Sequence, residues 1–150
     1  MTALRYTCLV LCLCAAACGA DTAGCATPSE LAGPAPAHAT TADVQAILAQ
    51  DCALGGCHLR APGAGGLVLD VTSTAWLAAT VGVPAVQNPT MDLVTPGDPD
   101  RSWLALKISG ELCGASCDPA LGCGAQMPFG EPLRDADRAI IVAWIAAGAR

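Results

Sequence analysis

Aromatic residues are scarce in this chain, which has three tryptophans, one tyrosine and one phenylalanine among its 150 residues. Roughly 110 residues remain once a leader and a tether are set aside, and that length suits one domain with one core. Five aromatic side chains make a weak core for such a domain. Either a buried, largely apolar cofactor supplies the missing volume, or the Ala- and Pro-rich composition reflects a GC-rich genome alone.

Histidine is also rare, with only His38 and His58 in the chain. A blue-copper site needs two histidines beside a cysteine, and only His58 falls inside the expected domain. No G-x-S-x-G string is present, so a Ser-His-Asp hydrolase is unsupported. G-x-G-x-x-G is absent even from the glycine-rich segment 62–66, which argues against a dinucleotide-binding loop.

Positive charge is in short supply. Seven Lys and Arg residues against thirteen Asp and Glu residues give a net charge of -6 and a pI near 4.5. Nucleic-acid phosphates would be repelled by such a surface, so we expect no nucleic-acid partner. A protein partner is expected to present a basic patch or to approach over an apolar surface.

Residues 1–18 contain an apolar run that is too short to cross a membrane as a permanent helix. Arg5 precedes the run and small residues follow it, which is the arrangement of a secretory leader. The ending Ala15-Ala-Ala-Cys18 resembles the lipobox of bacterial lipoproteins, in which the cysteine is acylated and becomes the mature N-terminus. We therefore expect a lipoprotein-type signal peptide over 1–18 and a membrane anchor at Cys18, on the periplasmic side of the cell envelope. Cys25 is a competing anchor site, and a plain signal peptide is the alternative.

Residues 19–40 are rich in Pro and Ala and show no periodicity, which predicts a flexible tether. His38 lies in this segment and is expected to be solvated rather than a ligand. The folded domain is then 41–150.

The string Cys52-Ala-Leu-Gly-Gly-Cys57-His58 is the most informative motif of the domain. Two thiols can add to the two haem vinyl groups as thioethers, and a histidine directly after the second thiol then serves as proximal ligand to the iron. The spacing is C-x4-C-H instead of the common C-x2-C-H, and Gly55 and Gly56 allow the longer loop to bend back. The motif predicts one covalently attached haem c per chain.

A second axial ligand is available in Gln126-Met127-Pro128. A methionine thioether would complete six-coordinate iron, and the proline after Met127 fixes the local backbone. Met91, the other methionine downstream of the leader, lacks this context and falls in an expected loop.

Four stretches resemble the single-haem cytochrome c domains of bacterial envelope lipoproteins. They are the haem motif, Thr95-Pro-Gly-Asp-Pro-Asp-Arg-Ser-Trp-Leu, Met127-Pro-Phe-Gly and Ala143-Trp-Ile-Ala-Ala-Gly-Ala. Their order also matches that family: an N-terminal helix, the haem motif, a PGDP helix, a Met-Pro loop and a final helix. The resemblance covers 44–149 and implies an all-α, cytochrome c-like small helical domain with long loops.

The resemblance implies that Cys52 and Cys57 attach the haem, with His58 as proximal and Met127 as distal ligand. Filled axial positions imply electron transfer between a donor and an acceptor protein, not enzymatic chemistry. The residues leave one alternative open. In it, Cys52 and Cys57 bond to each other in a haem-free, disulfide-stapled lipoprotein domain with a structural or binding role.

Three further cysteines, Cys113, Cys117 and Cys123, precede the Met loop. In an oxidising envelope they predict one disulfide, with the odd thiol free or paired with Cys25. Cys113 with Cys123 is the favoured pair because it would steady the approach to the Met loop, and Cys117 with Cys123 is a close second. A zinc site built from these cysteines and a residue of the haem motif is a further alternative, although paired C-x2-C knuckles are absent.

Spacing and capping signals predict the helices that frame these motifs. Thr41 is the expected N-cap of a helix with Val44, Ile47 and Leu48 on its apolar face. The later elements are a short helix over 73–80, a loop over 81–96, a helix from Asp98 to about Ile108, and a last helix from near Asp135 that packs across the first.

Overall fold

The computed structural model describes residues 24–150, so the leader and the anchor candidate Cys18 lie outside the described residues. The elements, in chain order, are α1 (Pro28–Leu31), α2 (Thr41–Asp51), a 3-10 turn (Ala64–Gly66), α3 (Ala75–Thr80), β1 (Pro84–Ala85), β2 (Asn88–Asp92), a second 3-10 turn (Pro99–Arg101), α4 (Trp103–Ser109) and α5 (Asp135–Ala146). Helices and long loops dominate, and β1 pairs antiparallel with β2. The structure is therefore helix-rich but not purely α-helical.

Helix α2 begins one residue earlier than expected, because Thr40 and not Thr41 is its N-cap. The Thr40 hydroxyl accepts a hydrogen bond from the Asp43 amide, and the Asp43 carboxylate accepts one from the Thr40 amide at 2.9 Å. This reciprocal capping box satisfies two free donors of the first turn. The predicted apolar stripe of α2 is confirmed, since Val44, Ile47 and Leu48 are all buried.

Helix α5 packs across α2, as expected, and joins α3 in the main core. The Trp144 indole on α5 donates to the Thr41 hydroxyl at 3.1 Å. Its ring centroid lies 5.4 Å from that of Trp76 on α3, a separation typical of favourable aromatic pairs. Two of the chain's few aromatic side chains are thus used at the point where three helices meet.

The hairpin lies in the segment 81–96, where we expected only a loop. Proline cannot donate to a strand ladder, which is why three prolines argued against strands here. Pro84 occupies the first position of β1, and in a two-stranded sheet every strand is an edge strand. The missing donors therefore cost little, and the loop prediction for this segment is wrong.

The predicted helix from Asp98 to Ile108 is divided in two. Asp98 caps as expected, accepting from the Arg101 amide at 3.1 Å, but only a 3-10 turn follows. The backbone of Ser102 is extended, and its buried hydroxyl bonds to the Thr95 amide and the Asp98 carbonyl, both at 2.8 Å. These side-chain bonds compete with helical ones, so α4 starts only at Trp103.

Two disulfides join Cys25 to Cys113 and Cys117 to Cys123, with Cα separations of 5.6 and 5.1 Å. The favoured pairing of Cys113 with Cys123 is therefore wrong. Cys123 is bonded to Cys117 instead, which was the second candidate. Cys25 takes Cys113 because the segment around it folds onto the domain.

The start of the described chain is packed against the domain. Pro28 and Ala32 are buried, the Ser29 amide donates to the Asp100 carboxylate at 2.8 Å, and Arg138 donates to the Leu31 carbonyl at 2.9 Å. These contacts make 25–32 part of the folded body instead of the flexible tether expected over 19–40. Within residues 24–150, no helix combines the length and the apolar character needed to cross a membrane.

Candidate cofactor-binding site

A cavity of about 470 Å³ opens between α2, α3, α4 and the loops that follow α2 and α4. Its volume lies within the range of about 300–1,000 Å³ found for ligand pockets. The four residues that sequence analysis assigned to haem binding all line this one cavity: Cys52, Cys57, His58 and Met127. The fold thus brings together two motifs that lie far apart in the sequence.

The loop from Cys52 to His58 is closed by backbone hydrogen bonds. Cys52 follows the last turn of α2, and its carbonyl accepts from the His58 amide at 3.2 Å. The Cys57 amide donates to the Leu54 carbonyl at 3.0 Å, and Gly56 has φ of +86°. A positive φ favours glycine, so Gly56 performs the bend that the C-x4-C spacing was expected to require.

The imidazole of His58 is oriented by the backbone. Its Nδ1 lies 3.1 Å from the Leu67 carbonyl oxygen, which can only accept a hydrogen bond. Nδ1 therefore carries the proton, and the lone pair is left on Nε2. This arrangement, with one ring nitrogen donating to a carbonyl, is the one that metal-binding histidines use.

The two thiols at the cavity differ in environment, and neither is in a disulfide. Cys52 is buried, and burial, followed by the nearby Asp51 and Cys57, raises the pKa of its thiol to about 12. Cys57 is exposed. The Cys52–Cys57 bond of the haem-free alternative is not formed in the structure.

Met127 is attached to α4 by a backbone hydrogen bond. Its amide donates to the Lys107 carbonyl at 2.9 Å, and its side chain is half-buried against the cavity. Met91 lies instead in β2, packed in a second apolar cluster with Trp103 and Leu106, and it is not part of the cavity lining. The loop expected around Met91 was wrong, but the choice of Met127 over Met91 as the methionine near the motif agrees with this geometry.

The wall of the cavity is mostly apolar, and its mouth carries exposed apolar side chains. Leu69, Trp76 and Ile108 line it from the core. Phe129, directly after Met127-Pro128, also lines it although 82% of its surface is exposed, and Leu54 and Val86 do likewise. Sequence analysis missed Val86, whose place depends on the unexpected hairpin, and Lys107, which could have been noticed as the only lysine of the chain.

The zinc alternative finds no support in the described part of the chain. Cys117 and Cys123 bond to each other, outside the cavity lining. Between residues 24 and 150, the one group of three possible ligands is Cys25, Glu111 and Cys113, and it contains the other disulfide. In that part of the chain, no cluster of possible ligands combines these cysteines with the haem motif.

Comparison with known proteins found no match for this chain among protein-family models, curated proteins or solved structures. The interpretation of the cavity therefore depends on its own residues.

Proposed function

We propose that this protein is an envelope-anchored c-type cytochrome that carries electrons through one covalently attached haem. The observation that carries the proposal is the shared cavity of Cys52, Cys57, His58 and Met127. Two unbonded thiols, an imidazole with a free Nε2 and a thioether are the donor set that such a haem needs. The cytochrome c-like fold suggested by the sequence resemblance belongs to the same proposal.

The chain's residues have distinct tasks in this proposal. Cys52 and Cys57 would attach the haem through thioethers, each thiol adding its sulfur to one carbon of a vinyl group and its hydrogen to the other, so that no oxidant or reductant is consumed. When bound, the haem would supply an iron that gains and loses one electron. His58 Nε2 and the Met127 sulfur would hold the iron, and two protein ligands would favour outer-sphere electron transfer over oxygen or peroxide chemistry. The apolar wall around Trp76 would exclude water from the cofactor.

The donor and acceptor proteins would meet the cavity mouth. The apolar side chains of Leu54, Val86 and Phe129 are exposed there, and the net charge of -6 favours a partner with basic groups around an apolar contact. The proposal includes no nucleic-acid partner.

Covalent haem is tested by expressing the full chain in the periplasm with a c-type maturation system. We expect a red protein that retains haem on a denaturing gel, and weaker attachment in Cys52→Ser and Cys57→Ser. Cys117→Ser is the matched control, because it removes a cysteine outside the cavity, breaks only the short disulfide to Cys123 and should keep the haem. A colourless folded product with Cys52 linked to Cys57 would replace the proposal with a haem-free stapled domain.

Distal ligation is tested with Met127→Ala and its control Met91→Ala. Loss of Met127 should abolish the weak far-red charge-transfer band of thioether-ligated ferric haem, lower the reduction potential, and let carbon monoxide bind readily. Met91→Ala should do none of this, because Met91 packs in the other cluster. Free binding of carbon monoxide by the wild type would show that Met127 is not a ligand.

Lipid anchoring at Cys18 is the remaining part of the proposal. The competing anchor, Cys25, has its thiol in the disulfide with Cys113, which disfavours acylation there. Cys18→Ser should release the protein from membranes into the soluble periplasmic fraction, whereas Cys25→Ser should leave it bound. An intact mass that shows an unmodified N-terminus would reject the anchor.

A further inference from the structure

Lys107 is the only lysine of the chain, and just 5% of its surface is exposed. It lies on α4 and lines the cavity. No carboxylate among residues 24–150 forms a salt bridge with it. Burying an ammonium without a carboxylate partner is unfavourable, so other polar groups have to stabilise its charge.

Both ends of one short segment are bonded to Lys107. The side-chain ammonium donates to the Cys123 carbonyl at 2.7 Å, and the backbone carbonyl accepts from the Met127 amide at 2.9 Å. The Lys107 Nζ also lies 5.6 Å from the ring centroid of Trp103, a cation–π distance. Lys107 therefore contacts both the first and the last residue of 123–127, and Cys123 is held in addition by its disulfide to Cys117.

Two features of the segment fit this double attachment. Lys107 and Ile108 belong to the last turn of α4, whose carbonyls lack helical partners, and the Gln126 side chain donates to the Ile108 carbonyl at 3.4 Å. At Gly124, an added Cβ would lie 3.3 Å from the Lys107 Nζ and 2.6 Å from the Gln87 Nε2. Gly124 also has a φ of +66°, so the backbone conformation and the short distance to Gln87 both favour glycine where the segment passes the ammonium.

From this geometry we infer that Lys107 is a positioning residue, which acts through Cys123 and the backbone to hold Met127 at the cavity. The inference rests on the proposed function for its consequence, namely that the Met127 sulfur stays within reach of the iron. The contact itself is a property of the protein chain and can be tested without haem.

The test compares wild type, Lys107→Met and Arg138→Met. Methionine keeps an unbranched apolar side chain beside Trp103 but removes the ammonium. Arg138→Met is a matched control, because it also removes a cation that donates to a backbone carbonyl, that of Leu31 at 2.9 Å, and Arg138 does not line the cavity. Two quantities are measured: hydrogen exchange of the Met127 amide, which donates to the Lys107 carbonyl, and the far-red band with carbon monoxide binding in the haem-loaded protein.

In Lys107→Met we expect exchange of the Met127 amide to accelerate by at least about tenfold, since the charged hydrogen bond that holds the start of the segment against α4 is lost. The far-red band should weaken and carbon monoxide should bind faster, while Arg138→Met should leave all three readouts at the wild-type level. Wild-type exchange and band in Lys107→Met would overturn the inference, and so would equal changes in both variants, which would indicate general destabilisation.

A second variant covers the case in which Lys107→Met does not fold. Gly124→Ala retains the ammonium but should displace the segment, and it should weaken the band in the same way. An unaltered band and unaltered exchange in Gly124→Ala would contradict the inference. If the wild type takes up no haem, the proposed function fails, and the exchange measurement alone decides whether Lys107 holds the segment.

Discussion

The buried thiol of Cys52 gives the most quantitative prediction. In the haem-free folded protein its pKa is raised from an ordinary value of 9.0 to about 12, first by burial and then by Asp51 and Cys57. At pH 8, a shift of that size lowers the thiolate fraction about 1000-fold relative to the unfolded chain. A more basic thiolate is intrinsically more nucleophilic, and this raises its rate of attack on a disulfide about 16- to 32-fold. The two effects together predict that Cys52 reacts with a disulfide reagent about 30- to 60-fold more slowly in the folded state than in the unfolded chain. Steric protection would slow the folded-state reaction further.

The assay uses haem-free protein made in a host without a c-type maturation system. A small disulfide reagent is added at pH 8, with and without urea, and modification of Cys52 and Cys57 is followed separately by peptide mass spectrometry. Cys57 is the internal reference because it is exposed in the folded protein. Asp51→Asn should speed the reaction of folded Cys52, but by less than unfolding does, because burial is the larger cause.

Two results would refute this reasoning. If Cys52 reacts in the folded protein within a few-fold of its rate in urea, the end of α2 does not enclose the thiol as the structure describes. If the isolated protein contains a Cys52–Cys57 disulfide, the two thiols are not available for attachment of haem. A haem-free, disulfide-stapled domain would then be the better-supported interpretation.

Three further predictions concern stability. Thr40→Ala should destabilise the fold by about 1 kcal/mol in urea unfolding, because the capping box of α2 is lost. Cys113→Ser should cost about 4–5 kcal/mol against about 2 kcal/mol for Cys117→Ser, since the closed loops span 88 and 6 residues; thermal unfolding measures both, and equal losses would contradict the loop-entropy argument. The contribution of Cys52 to stability should be complete below pH 9 and decline as pH rises towards 12, because the folded state holds the thiol proton more tightly than the unfolded state, and Cys52→Ser should remove that decline.

The parts of the fold that sequence predicts well are those set by local spacing. The apolar stripe of α2 and the start of α5 at Asp135 follow from helical periodicity. The N-cap of α2 was predicted one residue too late, at Thr41. The cause is local too, since Asp43 completes a capping box with Thr40 and not with Thr41.

The parts that sequence predicts poorly depend on contacts between distant residues. The partner of Cys113 is Cys25, 88 residues away, and nothing in the spacing of the three later cysteines indicates it. Docking of Pro28 and Ala32 onto the domain brings Cys25 there. The hairpin is missed for a related reason, because proline counts against a strand only when both edges of that strand are paired.

The candidate site is intermediate between these cases. Cys52, Cys57 and His58 are adjacent in sequence, so their proximity is a local property of the loop. Their meeting with Met127 in one cavity is not local, and it was expected only from the need of a haem iron for a second ligand and from the resemblance to cytochrome c domains. The burial of Lys107 was not predicted, because a single lysine on a helix is ordinarily solvated. Here the loop that carries Met127 covers it.

The contrast between four bonded and two unbonded cysteines among residues 24–150 has a physical basis in the burial of Cys52. In the proposed envelope location, a disulfide oxidant would react first with exposed Cys57 and form a mixed disulfide. Closing that into a Cys52–Cys57 bond requires the Cys52 thiolate, which a pKa of about 12 makes rare. The same low thiolate fraction slows closure of the Cys52–Cys57 bond, which leaves the mixed disulfide open to reduction by an external thiol. Under the proposed function, burial of one thiol and exposure of the other would therefore favour keeping both available for addition to haem.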